Sequence, residues 1–117
     1  MYKGEIMFTV IKKLEISASH QLSLSYRSKC ENLHGHNWII HVYAQAEELD
    51  ENGMVIDFGH IKEAIHGRLD HKHINNILGD INPTAENMVK WIADELGEKC
   101  VKVVVQESEG NVAIYER

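Results

Sequence analysis

The amino-acid sequence predicts an α+β domain, with two helices on one face of an antiparallel sheet and the order ββααββ. Three observations lead there. Residues 8–20 and 34–47 alternate apolar and polar side chains with the period of two of a half-buried strand. Two later segments place their apolar residues at helical spacing behind good N-cap residues. The chain then closes on "CVKVVVQES", which sets Val101, Val103 and Val105 on one side of a further strand.

The elements follow in order. In the first strand Phe8, Val10, Leu14, Ile16 and Ala18 share a face, and Thr9, Lys13, Glu15, Ser17 and Ser19 the other; Lys12 interrupts the apolar face and Ile11 the polar one. In the second, Trp38, Ile40, Val42, Ala44 and Ala46 form the apolar side. The polar, serine-bearing segment 21–33 between them reads as a long loop joining an antiparallel pair. "DENG" at 50–53 marks a turn. Asp57 is the expected N-cap of a helix with Phe58, Ile61, Ala64, Ile65 and Leu69 on one stripe. Thr84 is expected to cap a second helix that buries Ala85, Met88, Val89, Ile92 and Leu96 and stops at Gly97. A strand from Cys100 to Ser108, a turn at "EGN" and a short strand from Val112 to Glu116 complete the fold.

At 117 residues the chain is expected to form one domain, 1–117, with a core that needs no disulfide staples. The 44% hydrophobic content argues against disorder. A net charge of −6 argues against a nucleic-acid surface but leaves room for a basic pocket that binds a small anion. No apolar run is long enough to cross a bilayer, and "MYKGEIMF" lacks the pattern of a secretory signal, so the expected location is the cytoplasm with no membrane partner. Cys30 and Cys100 are too few for a disulfide scaffold.

Eight histidines are many for so short a chain. His20 shares parity with Leu14, Ile16 and Ala18, and His34 and His36 with Trp38, Ile40 and Val42, so all three leave the buried face. If His20 lies opposite His34 or His36, three imidazoles converge at one end of the sheet, where hydrogen bonds alone satisfy them poorly. A divalent metal solves that problem, and zinc takes nitrogen ligands at about 2.0–2.1 Å. Cys30, in the loop, is compatible with either of two sites. As a fourth ligand it closes a structural His₃Cys centre; as a bystander it leaves an open metal position beside a thiol. Asp70 and His71 form an adjacent carboxylate–imidazole pair, either an acid/base unit or a local cap beside a surface ring. Glu107 puts a carboxylate at the end of the apolar face of its strand. A buried charge needs a partner, either a lysine or arginine of the protein or a ligand with paired N–H donors. His41, His60, His66 and His73 read as solvated surface residues.

Six motifs in order resemble the 6-pyruvoyl-tetrahydropterin synthase and 6-carboxytetrahydropterin synthase family: "ISASHQL", "KCENLHGHNW", "GMVIDFGHIK", "LDHKHIN", "NPTAEN" and "VQES". The spacing of Cys30 to His-Gly-His resembles the carboxytetrahydropterin branch. The resemblance implies a T-fold and zinc held by His20, His34 and His36. It implies a catalytic triad of Cys30, Asp70 and His71, and a pterin anchored on the Glu107 carboxylate. It further implies homo-oligomers, trimers or hexamers, with active sites between subunits, so that Cys30 is available to a neighbour's Asp70 and His71. The implied reaction converts 7,8-dihydroneopterin triphosphate to 6-carboxy-5,6,7,8-tetrahydropterin with loss of acetaldehyde and triphosphate, in the queuosine branch of pterin metabolism. Arg27 and Lys29 are candidates for meeting the triphosphate, or else solvated loop charges. Two departures stand out: Ile16 replaces an aromatic residue common in the family, and Glu31 follows Cys30 where some relatives use a glutamate in place of the cysteine. The alternatives are a synthase that stops at 6-pyruvoyltetrahydropterin, and a non-catalytic zinc-stabilised pterin-binding module.

Overall fold

The alternation in the first half of the chain becomes one long antiparallel pair. In a computed structural model that describes residues 6–117, β1 (Phe8–His20) and β2 (His34–Ala46) are each 13 residues long. They pair without interruption from Phe8↔Ala46 to His20↔His34. Met1 to Glu5, the start of the predicted domain and most of the stretch weighed as a possible signal, lie outside the described residues. Burial sets this register: Leu14, Ile16 and Ala18 face the core with Trp38, Ile40, Val42 and Ala44, and a one-residue slip of either strand would turn its apolar set to solvent. Ile16 lies opposite Trp38, both wholly buried, and the indole N–H donates to the Ala18 carbonyl at 3.1 Å.

The helices cover that face. Asp57 caps the first by accepting the Gly59 amide at 2.7 Å. This helix, α1, is α-helical over Phe58–Ile61, opens into a π turn over Lys62–His66 and closes again over Gly67–Leu69. Ile61, Ile65 and Leu69 are wholly buried. Phe58, expected on the same stripe, is 47% exposed, because at the first position of the helix its ring lies over the Lys12 ammonium instead of the core. The next two elements differ from the expected pattern. β3 (Lys72–His73) lies parallel to β1, through Ala18↔Lys72, so the sheet is mixed rather than wholly antiparallel. α2 (Ile74–Leu78) is a single buried turn, with Ile74 and Leu78 one above the other. Elements of two and five residues are too short to carry a legible period.

Thr84 caps α3 (Ala85–Leu96), its hydroxyl accepting the Asn87 amide at 3.1 Å, and Gly97 at φ 88° ends it. β4 (Cys100–Ser108) pairs with β2, and β5 (Asn111–Glu116) with β4, giving the order β3-β1-β2-β4-β5. The other face of the sheet is open: Ile11, Val112 and Ile114 are more than half exposed. No helix among the described residues is long and apolar enough to cross a membrane.

Arg117 ties α3 to the sheet. Its guanidinium donates to the carbonyls of Ala93 at 2.8 Å and Gly97 at 2.6 Å, to the Asp94 carboxylate at 2.9 Å and to the Cys100 carbonyl at 3.0 Å. A cation at a helix C-terminus that also satisfies its unpaired carbonyls is doubly favourable. Arg117→Ala is expected to cost about 1–3 kcal/mol in urea unfolding with an unchanged m-value, and Arg117→Lys to recover only part, since an ammonium cannot span the four acceptors. An unchanged midpoint in Arg117→Ala would mean that water replaces all four bonds without loss.

Candidate active site

The strand register brings three imidazoles together. His20 pairs directly with His34, and His36 sits opposite Ala18, all on the core face at one end of the sheet. Their ring centroids lie 4.4 Å (His20–His34), 5.3 Å (His20–His36) and 5.0 Å (His34–His36) apart. The backbone fixes two of the rings. The Pro83 carbonyl lies 2.8 Å from Nδ1 of His20, and the Asn32 carbonyl 2.7 Å from Nδ1 of His34. A carbonyl only accepts, so each Nδ1 carries the proton and each Nε2 keeps a free lone pair. Pro83 is itself held in place: Asn87 donates to the Asn82 carbonyl at 2.8 Å, and Thr84 caps α3.

His20 is wholly buried, and burial lowers its pKa below the ordinary histidine value, favouring the neutral ring that a metal requires. The Nε2 atoms of His20 and His36 are buried without any hydrogen-bond partner. Leaving such atoms unpaired costs about 1–3 kcal/mol each. The donor atoms of His20, His34 and His36 lie within 4.8 Å of one another, the only such metal-capable group among the described residues. Tetrahedral nitrogens about 2.0–2.1 Å from an ion are roughly 3.4 Å apart, so small ring movements close the set. The three imidazoles therefore fit a divalent metal ion, and Cys30 Sγ is not in the converging set.

Cys30 sits on a 3₁₀ turn, Lys29–Glu31, built as a capping box. The Ser28 hydroxyl accepts the Cys30 amide at 3.1 Å, and the Glu31 carboxylate accepts the Ser28 amide at 3.3 Å. The Leu22 amide donates to the Cys30 carbonyl at 3.1 Å. The loop leading there is held by two side-chain amides that imitate a strand partner: Asn75 pairs with both backbone groups of Gln21, and Asn82 with both of Ser23. Glu31, the possible stand-in for the thiol, is thus engaged in presenting it. Cys30 is half-buried and forms no disulfide. It lines a pocket of about 550 Å³ with His34, His36 and Glu107. Arg27 and Lys29 are exposed, Lys29 on the lip of that pocket.

Glu107 occupies the bulge in β4 between Gln106 and Ser108. Its carboxylate points back at the imidazoles, 3.7 Å from His36 Nε2 and 3.9 Å from His20 Nε2. Among the described residues no lysine or arginine forms an ion pair with it. Glu107 also walls a second cavity of about 590 Å³ with Ala85, Val89 and Tyr115.

Asp70 and His71 are docked on the edge of β1, away from that pocket. The Ser17 amide donates to Asp70 Oδ1 at 2.9 Å, and the His71 amide donates to the Ser17 carbonyl at 2.7 Å. The Ser17 bond is the main reason that the Asp70 carboxyl sits below its ordinary pKa. His71 is held at φ 57°, the only non-glycine residue with positive φ among those described, and its side chain is 81% exposed. Such strain persists where the surroundings over-determine it, often at functional sites. His71 lines a separate cleft with Ser17, Ser19, Asn37 and His73, which shares only His36 with the Cys30 pocket. One chain therefore does not gather Cys30, Asp70 and His71 in one pocket.

Of the four histidines read as surface residues, His41 is half-buried on the open face of β2 and His60 exposed on α1. His73 meets the Ser19 hydroxyl at 3.0 Å. His66 was missed: its Nε2 lies 3.5 Å from Asp70 Oδ2. The i,i+4 spacing of His66 and Asp70 near the end of a helix is the signal that could have found it.

Comparison with known proteins accords with this geometry. The family model described as 6-pyruvoyl tetrahydropterin synthase matches residues 9–117. A Synechocystis sp. protein named 6-carboxy-5,6,7,8-tetrahydropterin synthase is 35% identical over 100 residues, covering 79% of this chain and 77% of its own. A Bacillus subtilis protein of the same name is 28% identical over 124 residues, covering 92% and 84%. In fold the chain is similar to the solved 6-pyruvoyl tetrahydropterin synthase of Caenorhabditis elegans, with a TM-score of 0.75 at 23% identity over 95% of this chain and 96% of that one.

The metal fit has a direct test. Apoprotein titrated with Co²⁺ should take up one ion per chain with a nitrogen and oxygen shell, and His20→Ala should abolish tight uptake. A sulfur shell near about 2.3 Å in X-ray absorption would instead make Cys30 a ligand of a closed site.

Proposed function

Because the chain belongs to the 6-pyruvoyl tetrahydropterin synthase family, we propose that it converts 7,8-dihydroneopterin triphosphate and one water to 6-carboxy-5,6,7,8-tetrahydropterin, acetaldehyde and triphosphate. Curated relatives that carry this product in their names support the choice of product. The observation that carries the reading is the pocket that combines the orphaned Nε2 of His36, a carboxylate without a lysine or arginine partner and a half-buried thiol. In this reading the protein is a zinc-dependent lyase of the queuosine branch.

His20, His34 and His36 would hold the zinc, which when bound would supply Lewis acidity that makes the hydroxyl protons of a substrate side chain easier to remove. Glu107 accepts the 2-amino and ring N–H groups of the pterin, two charge-assisted hydrogen bonds that fix its orientation. Cys30 moves protons between the side chain and the ring at Sγ. The His71 imidazole relays them, and Asp70, locked by the Ser17 amide, orients that ring. With the triphosphate eliminated, water adds at the side-chain carbon next to the ring. Cleavage of its bond to the next carbon, in a step that resembles a retro-aldol, leaves the carboxylate on the pterin and releases acetaldehyde, the bonding pair taking up a proton. Since Cys30 and His71 line different clefts of one chain, the working site joins Cys30 to the Asp70–His71 pair of a neighbour in a trimer or hexamer.

Incubation with 7,8-dihydroneopterin triphosphate should yield acetaldehyde and the 6-carboxy product. Accumulation of 6-pyruvoyltetrahydropterin without acetaldehyde would assign the other reaction of the family. Cys30→Ala should keep its metal and lower kcat by about 10²–10⁴-fold. His71→Asn should do likewise without loss of stability, because asparagine tolerates the left-handed backbone that His71 adopts.

Glu107→Gln keeps the shape and removes the charge. It should raise KM about 10–100-fold, the loss of one to two charge-assisted bonds, with metal content and unfolding midpoint unchanged. Unchanged KM would mean that the carboxylate serves the imidazoles and not the substrate.

A further inference from the structure

The Asp70 carboxylate serves two imidazoles rather than one. Oδ1 is taken by the Ser17 amide at 2.9 Å, which leaves Oδ2 as the free acceptor. His71 Nε2 and His66 Nε2 both lie 3.5 Å from that same oxygen. Neither is placed to complete a hydrogen bond in this geometry, as expected where two donors share one acceptor. His66 is not a loosely tethered surface group: its ring is two-thirds buried, the Asp70 side chain is only 20% exposed, and the Asp70 amide donates to the His66 carbonyl at 3.0 Å. An exposed i,i+4 ion pair between long, free side chains is worth little. Here both side chains are short and the carboxylate is already fixed by a third group, so the two rings face one fixed acceptor oxygen.

We propose that His66 is a positioning residue of the Asp70–His71 pair, sharing Asp70 Oδ2 with His71 and thereby setting how firmly the carboxylate holds the His71 ring. This rests on the role given to Asp70 and His71 in the proposed function. Two effects act in the same direction. A donor from His66 spreads the carboxylate charge and weakens its support of a protonated His71, and a protonated His66 repels a second cation nearby. Other groups on the surrounding elements are otherwise engaged or do not approach: Glu95 of α3 is paired with Arg68 at 2.6 Å, and His73 of β3 with the Ser19 hydroxyl. Glu63 of α1, Glu15 of β1 and Lys72 of β3 are exposed and form no ion pair with any member of the trio.

The test uses the metal-loaded full chain. In His66→Leu the limb of the kcat–pH profile that reports the Asp70–His71 pair should move to higher pH, on the order of half a unit, while KM stays within twofold. His66→Gln, which keeps an N–H donor of similar reach, should move it less. Histidine NMR titration of the same variants reads the shift without turnover. Asp70→Asn provides a reading that needs no change at His66: the titrations of both His66 and His71 should move together. A His71 titration unmoved in the folded His66→Leu or His66→Gln chain, or a His66 titration unmoved in Asp70→Asn, overturns the proposal. A chain that shows the coupled titration but does not turn over the pterin triphosphate overturns the proposed function and leaves the sharing of Asp70 standing.

Discussion

The bulge-free pairing of β1 with β2 is the constraint on which the rest of the molecule depends. A strand has a side-chain period of two, so one register decides both which residues fill the core and which reach the site. With His20 opposite His34, the apolar faces of both strands meet α1 and α3, and the imidazoles fall at the end of that face. A slip of β2 by one residue would expose Trp38 and Ile40 and turn His34 and His36 away from His20 at the same time. The core and the candidate metal site are thus specified by the same hydrogen bonds. Burial also lowers the pKa of His20, so the packing that stabilises the domain favours the neutral ring that a metal requires.

The supports of the imidazoles and of the entry to the Cys30 loop are backbone groups and amides. Carbonyls of Pro83 and Asn32 orient two rings, and Asn75 and Asn82 hold the entry to the Cys30 loop by bonding to both backbone groups of Gln21 and Ser23. Neutral, directional contacts of this kind fix geometry without adding charge near a dication. Among the described residues Glu107 is the one carboxylate paired with His20 and His36, and it stands at the bulge in β4.

The edge of β1 performs a different task. Ser17 uses both of its backbone groups on Asp70 and His71, and His71 accepts a left-handed backbone so that the chain can turn into β3. The result is a strained, exposed imidazole on a side of the sheet that the chain itself leaves uncovered. Under the proposed function, a neighbouring subunit would bring the thiol pocket to that imidazole.

Local patterns in the sequence carried much of this fold. The bounds of β1, α3 and β4, the caps Asp57 and Thr84, the stop at Gly97 and the shared face of His20, His34 and His36 all follow from periodicity and capping chemistry, which act over a few residues. The family followed from motif order. Tertiary structure alone decided what depends on contacts distant in sequence. These are the parallel docking of β3, the turn of α2, the exposure of Phe58, the partition of Cys30 and His71 between two clefts, and the partners of Glu107 and His66. A two-residue strand has no period to read, and a carboxylate's partner is chosen by whichever groups packing brings within a few ångströms, which parity restricts to a face but does not name.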